Sequence, residues 1–120
     1  MPNGALRSTL LFVAGLMGLF GVAAAAAASH GTDPRLLGGA SAMCLAHAPA
    51  LVALYGGWTH FRTAALAALL LAAGTALFAG DLTFRHFAGH GLFPMSAPLG
   101  GLTMMAGWLA VALGAFLPRG

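Results

Sequence analysis

The sequence predicts an all-α membrane protein, a bundle of four transmembrane helices joined by short loops. Three observations carry that expectation. The chain has 120 residues and is 60% hydrophobic. It carries only five Arg and two Asp, with no Lys and no Glu, against the roughly 25% charged residues of a soluble domain. Four apolar runs each approach the ~20 residues needed to cross a hydrocarbon core at 1.5 Å per residue. A water-soluble fold of this length has no interior large enough for so much apolar surface, whereas a bilayer can serve as its solvent.

The runs are expected at about 9–28, 36–57, 63–80 and 99–117. Backbone groups in lipid must be satisfied within the segment, so each run is predicted as a helix. The breaks hold the turn signals: SHGTDPR, then GWTHFR, then the longer DLTFRHFAGHGLFPMSAP. They leave no room for a soluble domain, so residues 1–120 are expected to form one transmembrane domain. In the first break, Pro34 suits a helix opening, with Asp33 capping the amides of the second helix. Gly31 suits a left-handed helix end, with His30 bonding the last carbonyls. The first run, with Arg7 ahead of it and AAAAAAS at its end, also has the outline of a cleavable signal peptide, which is the rival reading of this segment.

Orientation follows from the arginines. With the N-terminus cytoplasmic, Arg7, Arg62 and Arg119 lie inside, and Arg35 and Arg85 outside. This three-to-two bias favours both termini inside. The arginines are scattered, which argues against a nucleic-acid surface. Trp58 beside a loop reads as an interfacial anchor and Trp108, mid-run, as a residue packed within the bundle. Small residues recur at helical spacing: Gly38, Ala42, Ala46 and Ala50; Ala64, Ala68, Ala72, Ala76 and Gly80; Ala106, Ala110 and Gly114. Such stripes let helices approach closely. The lone Cys44 excludes an intramolecular disulfide and a cysteine-based zinc site, and reads as a buried packing residue.

Ordered short motifs carry a resemblance. SHG ends the first run, LAHAPAL sits in the second, LLLAAGTALFAGDL ends the third, and APLGG followed by GW opens the fourth. Their order is similar to that of the small uncharacterised membrane proteins of the YgdD/YwdK type, the family catalogued as domain of unknown function 423. The P-x-G-G…G-W block, Pro98, Gly100, Gly101, Gly107 and Trp108, is its most specific piece, and the resemblance spans nearly the whole chain. It departs at SHG, where the family usually has AHG, and at FAGD, where small hydroxyl residues are frequent. The loop that follows is longer than in many members. The resemblance implies a four-helix protein of the bacterial inner membrane and supplies no activity, substrate or catalytic residue.

The candidate functional residues are polar groups at unusual depth. His47 would lie about 18 Å along a helix starting near Arg35. An intramembrane ionisable residue is a functional candidate, as ligand or proton carrier. The structural alternative is a neutral imidazole that bridges helices or serves the Leu45 carbonyl, which Pro49 cannot supply with a donor. His30, at the outer surface, is too far from His47 to share a metal or haem. Asp81 and Arg85 are spaced for a helical ion pair, near Gly80. His86 and His90 are also spaced i,i+4 and could share a metal if that loop is helical, but no third ligand lies nearby, and surface histidines are the default reading. Gly100 and Gly101 suit close helix contact or a hinge. No phosphate loop, HExxH or nucleophile elbow is present. The expectation is therefore a non-enzymatic protein without metal or cofactor. Its partners are the lipid bilayer and either a membrane-protein complex or further copies of itself, as an accessory or assembly component. A small transporter or channel using His47, or a cofactor-binding protein, is the alternative.

Overall fold

The computed structural model describes residues 2–119. It is four helices in an up-down-up-down order: α1 (Pro2–His30), α2 (Arg35–Gly56), α3 (Ala64–Ala88) and α4 (Ser96–Gly114). All four are long and apolar enough to cross a membrane. Large apolar side chains such as Phe12, Leu19, Leu102 and Leu109 point outward, as expected where the solvent is lipid. The core is lined by Leu10, Ala14 and Met17 of α1, Leu51 and Leu54 of α2, and Ala67, Ala68 and Leu71 of α3.

The helices form two hairpins. α1 packs on α2, α4 packs on α3, and the pairs join where α2 meets α3. α1 meets α3 only marginally, and α4 has no backbone neighbour except α3. Glycines set the α3–α4 distance. A Cβ on Gly100 would sit 2.7 Å from the Phe78 nitrogen, and one on Gly74 would sit 2.7 Å from the Met104 nitrogen. Seven residues on, a Cβ on Gly107 would meet Leu71 at 2.7 Å, and Gly114 faces Phe61 and Thr63. Heptad spacing keeps Gly100, Gly107 and Gly114 on one side of α4, so the two backbones gain contact along its whole length. At the other end of the molecule from the 89–95 loop, the C-terminal segment pairs with the α2–α3 connection: the Arg62 amide donates to the Leu117 carbonyl (2.9 Å) and the Arg119 amide to the His60 carbonyl (3.1 Å).

The structure moves several boundaries. α1 begins seven residues before the apolar run. α3 does not stop at Gly80 but continues to Ala88, where Gly89, at φ 84°, takes the left-handed conformation and returns its amide to the Arg85 carbonyl. The polar letters DLTFRHF are helical because Asp81 finds partners within and beyond the helix. The long third break thus shrinks to residues 89–95, and α4 opens at Ser96, three residues early, with Pro98 in its first turn.

Small-residue faces also differ. On α2, Ala42 and Ala46 are exposed, and the buried face is Leu37, Ala40, Ser41, Cys44, His47, Ala48, Leu51 and Leu54. Alanine is so frequent that helical spacing occurs on more than one face. On α3, Ala64, Ala68 and Ala72 are buried but Ala76 is exposed, and on α4 the contact line runs through Gly100, Met104, Gly107 and Ala110, not Ala106. A Cβ on Gly101 would meet nothing within 4 Å. Trp58 is no exposed anchor: it is 6% exposed within the core. Gly31 keeps a negative φ, so α1 has no left-handed end; the Ser29 hydroxyl, not His30, bonds a last-turn carbonyl, that of Ala26.

Candidate functional site

Two polar clusters lie within the apolar body. The first is centred on His47. α2 and α4 run parallel, and His47 and Trp108 each stand twelve residues after their helix begins, which brings them to one depth. The Trp108 indole N–H donates to His47 Nε2 at 3.0 Å. An indole nitrogen is donor only, so Nε2 carries the lone pair and the ring proton sits on Nδ1. Nδ1–H donates to the Met43 carbonyl at 2.8 Å, the acceptor one turn back along α2. The rings lie 5.7 Å apart and tilted by 58°. Both imidazole nitrogens are therefore engaged, and the side chain is buried. The imidazole does not serve the Leu45 carbonyl that Pro49 leaves open; it takes the carbonyl two residues earlier. Trp108 reaches it from the bundle's rim, 44% exposed, across a gap where the α2 and α4 backbones are not neighbours.

The second cluster gathers on Asp81, whose side chain is fully buried. Its Oδ1 accepts the Ser96 hydroxyl at 2.5 Å and the Leu92 amide at 2.8 Å, and its Oδ2 accepts an Arg85 guanidinium N–H at 3.3 Å. A buried carboxylate is tolerated only when paired and hydrogen-bonded, and here both oxygens are. The helix pair of Asp81 and Arg85 is half of the device. The other half is the 89–95 loop, which folds back so that the Leu92 amide and, at the start of α4, Ser96 reach the carboxylate. A Cβ on Gly91 would crowd the Arg85 guanidinium and lie 2.7 Å from Asp81 Oδ1, so a side chain there would have to displace the tips of that pair.

Other polar bonds brace helices. Ser41 donates to the Gly21 carbonyl (2.7 Å) and ties α2 to α1. Thr63 donates to the Ala110 carbonyl (2.6 Å) and ties the start of α3 to α4. Arg7 donates through Nε to the Tyr55 carbonyl (2.9 Å), and its guanidinium lies 4.3 Å over the Tyr55 ring. That carbonyl is among the last four of α2, which lack helical partners. By contrast, the Thr75 hydroxyl is fully buried with no protein partner.

The remaining candidates stay apart. His30 is exposed at the end of α1. His86 stacks edge-on against Phe87 and His90 against Phe84. Among the described residues no three His, Cys, Asp or Glu side chains gather as a metal-binding group. Pro49 lies exposed on α2, and Gly80 lies under the Leu92 side chain, 4.0 Å from where its Cβ would be. Sequence reasoning missed Ser96, Leu92 and Gly91. Only the 15-residue separation of Ser96 from Asp81 marks that contact, and such a separation carries no periodic signal.

No solved structure matches this chain. The model of a protein family of unknown function, DUF423, matches residues 23–101, which is narrower than the span of the motifs: Pro98, Gly100 and Gly101 fall inside it, Gly107 and Trp108 beyond it. That match covers more than half of the sequence and includes His47, Asp81 and Ser96, so the chain belongs to the DUF423 family, whose function is unknown.

Proposed function

We propose that this protein is a non-enzymatic accessory or assembly component of the bacterial inner membrane, with both termini cytoplasmic, acting through the lipid-embedded faces of its helices. One observation carries the reading. The intramembrane polar side chains best suited to chemistry, His47 and Asp81, are each consumed by bonds, His47 within α2 and to α4 and Asp81 to the start of α4. A proton-carrying histidine has to change partners in each cycle. His47 is fixed at both nitrogens, so a transporter or channel built on it would have to release Trp108 and Met43 each time. The arginine distribution supports the cytoplasmic placement of the termini.

Two measurements test the proposal together. In gently solubilised native membranes, the protein should migrate in an assembly well above its own 12.0 kDa. In liposomes, the pure protein should give no ion flux that depends on His47. Migration as a lone chain refutes the accessory role, and flux abolished by His47→Leu installs the transport reading in its place.

A further inference from the structure

Because α1 and α3 meet only marginally, an apolar groove of about 590 Å³ opens between them. Val13, Met17 and Phe20 form one wall, Ala76, Gly80 and Phe87 the other. From Ala76 to Phe87 it runs about 16 Å along α3 at the helical rise. That is close to half of the ~30 Å hydrocarbon thickness, the depth of one leaflet. Its outer end is the Leu92 side chain, which also borders a second cavity of about 400 Å³. Arg85, His90 and Gly91 line that second cavity, and Asp81 does not.

Groove and cavity thus share a wall residue and differ in chemistry. The groove has the length and polarity of an acyl chain. The cavity carries a cation. Arg85 is 44% exposed and gives Asp81 one guanidinium nitrogen, which leaves further donors in a planar fork that matches phosphate oxygens. The Asp81 carboxylate is buried beneath Ser96 and the Leu92 amide and does not line the cavity, so its oxygens make no direct contact with an anion bound there.

We propose that the α1–α3 groove and the Arg85–His90 cavity form one binding site for an anionic phospholipid, with an acyl chain along α3 and the phosphate at Arg85. The site occupies the leaflet opposite the chain termini. The proposal does not depend on the accessory role.

The test uses the whole protein in liposomes doped with chain-spin-labelled phosphatidylglycerol or phosphatidylcholine, and reads the motionally restricted lipid by electron paramagnetic resonance. The expected result is a several-fold preference for phosphatidylglycerol. Arg85→Gln should bring that preference to unity, and Ala76→Phe, which fills the groove and touches neither Asp81 nor Arg85, should remove about one restricted lipid per chain. Leu109→Phe, on the exposed side of α4, should change neither. Equal restriction of both lipids by the unaltered protein overturns the proposal, as does an unchanged restricted population in Ala76→Phe. Cross-linking of a photoreactive side chain at position 76 to a second copy would assign the groove to a dimer and also overturn it.

Discussion

The hydrogen bond between Trp108 and His47 should have a measurable coupling energy, because among the described residues it is the only hydrogen bond between α2 and α4 and their backbones are not neighbours. The perturbation is a double-mutant cycle of His47→Leu, Trp108→Phe and the pair. His47→Leu removes the acceptor and leaves the indole N–H facing other side chains and lipid, where it has no water to bond. Such an orphaned donor costs about 1–3 kcal/mol in a water-soluble protein. Interhelical bonds in bilayers average about 0.6 kcal/mol and reach about 1.7, since the unfolded helices find other partners. Trp108 stands at the lipid-facing rim, 44% exposed, so the bilayer scale governs. The 3.0 Å distance and the fully engaged imidazole place this bond toward the upper part of that scale. The expected coupling is about 1 kcal/mol: the double variant loses that much less stability than the two single losses combined. Reversible unfolding in mixed dodecyl sulfate micelles, followed by circular dichroism, reads it. Independent sites add to within about 0.3–0.5 kcal/mol, so a coupling inside that margin would refute the bridge. An imidazole nitrogen spectrum showing the proton on Nε2 would refute it independently.

The α3–α4 contact gives a paired prediction. Gly100→Ala places a Cβ against the backbone of Phe78 and Gly74, atoms that cannot rotate away, and should cost about 1–3 kcal/mol of unfolding free energy. Gly101→Ala meets nothing and should be neutral or stabilising by up to about 1 kcal/mol, from helix propensity alone. Asp81→Asn presents an amide to Arg85 and weakens the bonds from Ser96 and Leu92; hydrogen bonds to charged groups contribute about 1.5–3 kcal/mol, and the expected readout is accelerated hydrogen exchange at the Leu92 amide. Arg85→Gln leaves the buried Asp81 carboxylate without a cation and should also lower stability, by less than the ~3–5 kcal/mol of breaking a fully buried pair, because Arg85 is partly exposed. Thr75→Val replaces an unpartnered buried hydroxyl by a methyl group and should raise stability by about 1 kcal/mol; a loss in the same unfolding assay would mean that the hydroxyl is bonded.

The four helices were legible because lipid imposes a simple requirement: apolar runs of sufficient length with internally satisfied backbones. Their ends were less legible, for an identifiable reason. Asp81 and Arg85 look like loop residues when charge alone is weighed, yet they are spaced one turn apart and pair through one guanidinium nitrogen within α3. Gly89, not Gly80, stops the helix, and only its φ of 84° distinguishes the two. The partner of His47 was hidden by the same error. Counting from Leu99 puts Trp108 nine residues into α4, three short of the depth of His47 along α2. Counting from Ser96 makes the two level. The α2 stripe failed differently: in so alanine-rich a chain, small residues at helical spacing do not identify a face. Gly100, Gly107 and Gly114 do, because glycine is the residue whose Cα can lie against another backbone.

Helix α4 brings these observations together. It touches no helix backbone but that of α3, and between lipid-embedded helices there is no hydrophobic drive to hold it there. What replaces that drive is distributed along its length. Ser96 bonds Asp81 at its opening, Trp108 bonds His47 past its middle, and the Ala110 carbonyl accepts from Thr63 near its end. From Ser96 to Ala110 these clamps cover about 21 Å of helix, with Gly100 and Gly107 placed among them and Gly114 just beyond. Each clamp alone is worth little in a bilayer, but each fixes a different coordinate: Asp81 sets the start, the glycines set the separation, and His47 sets the rotation of α4 about its axis. A histidine and an aspartate inside an apolar bundle are thus accounted for as registration devices. They position α4 against a partner that apolar contact alone would let slide.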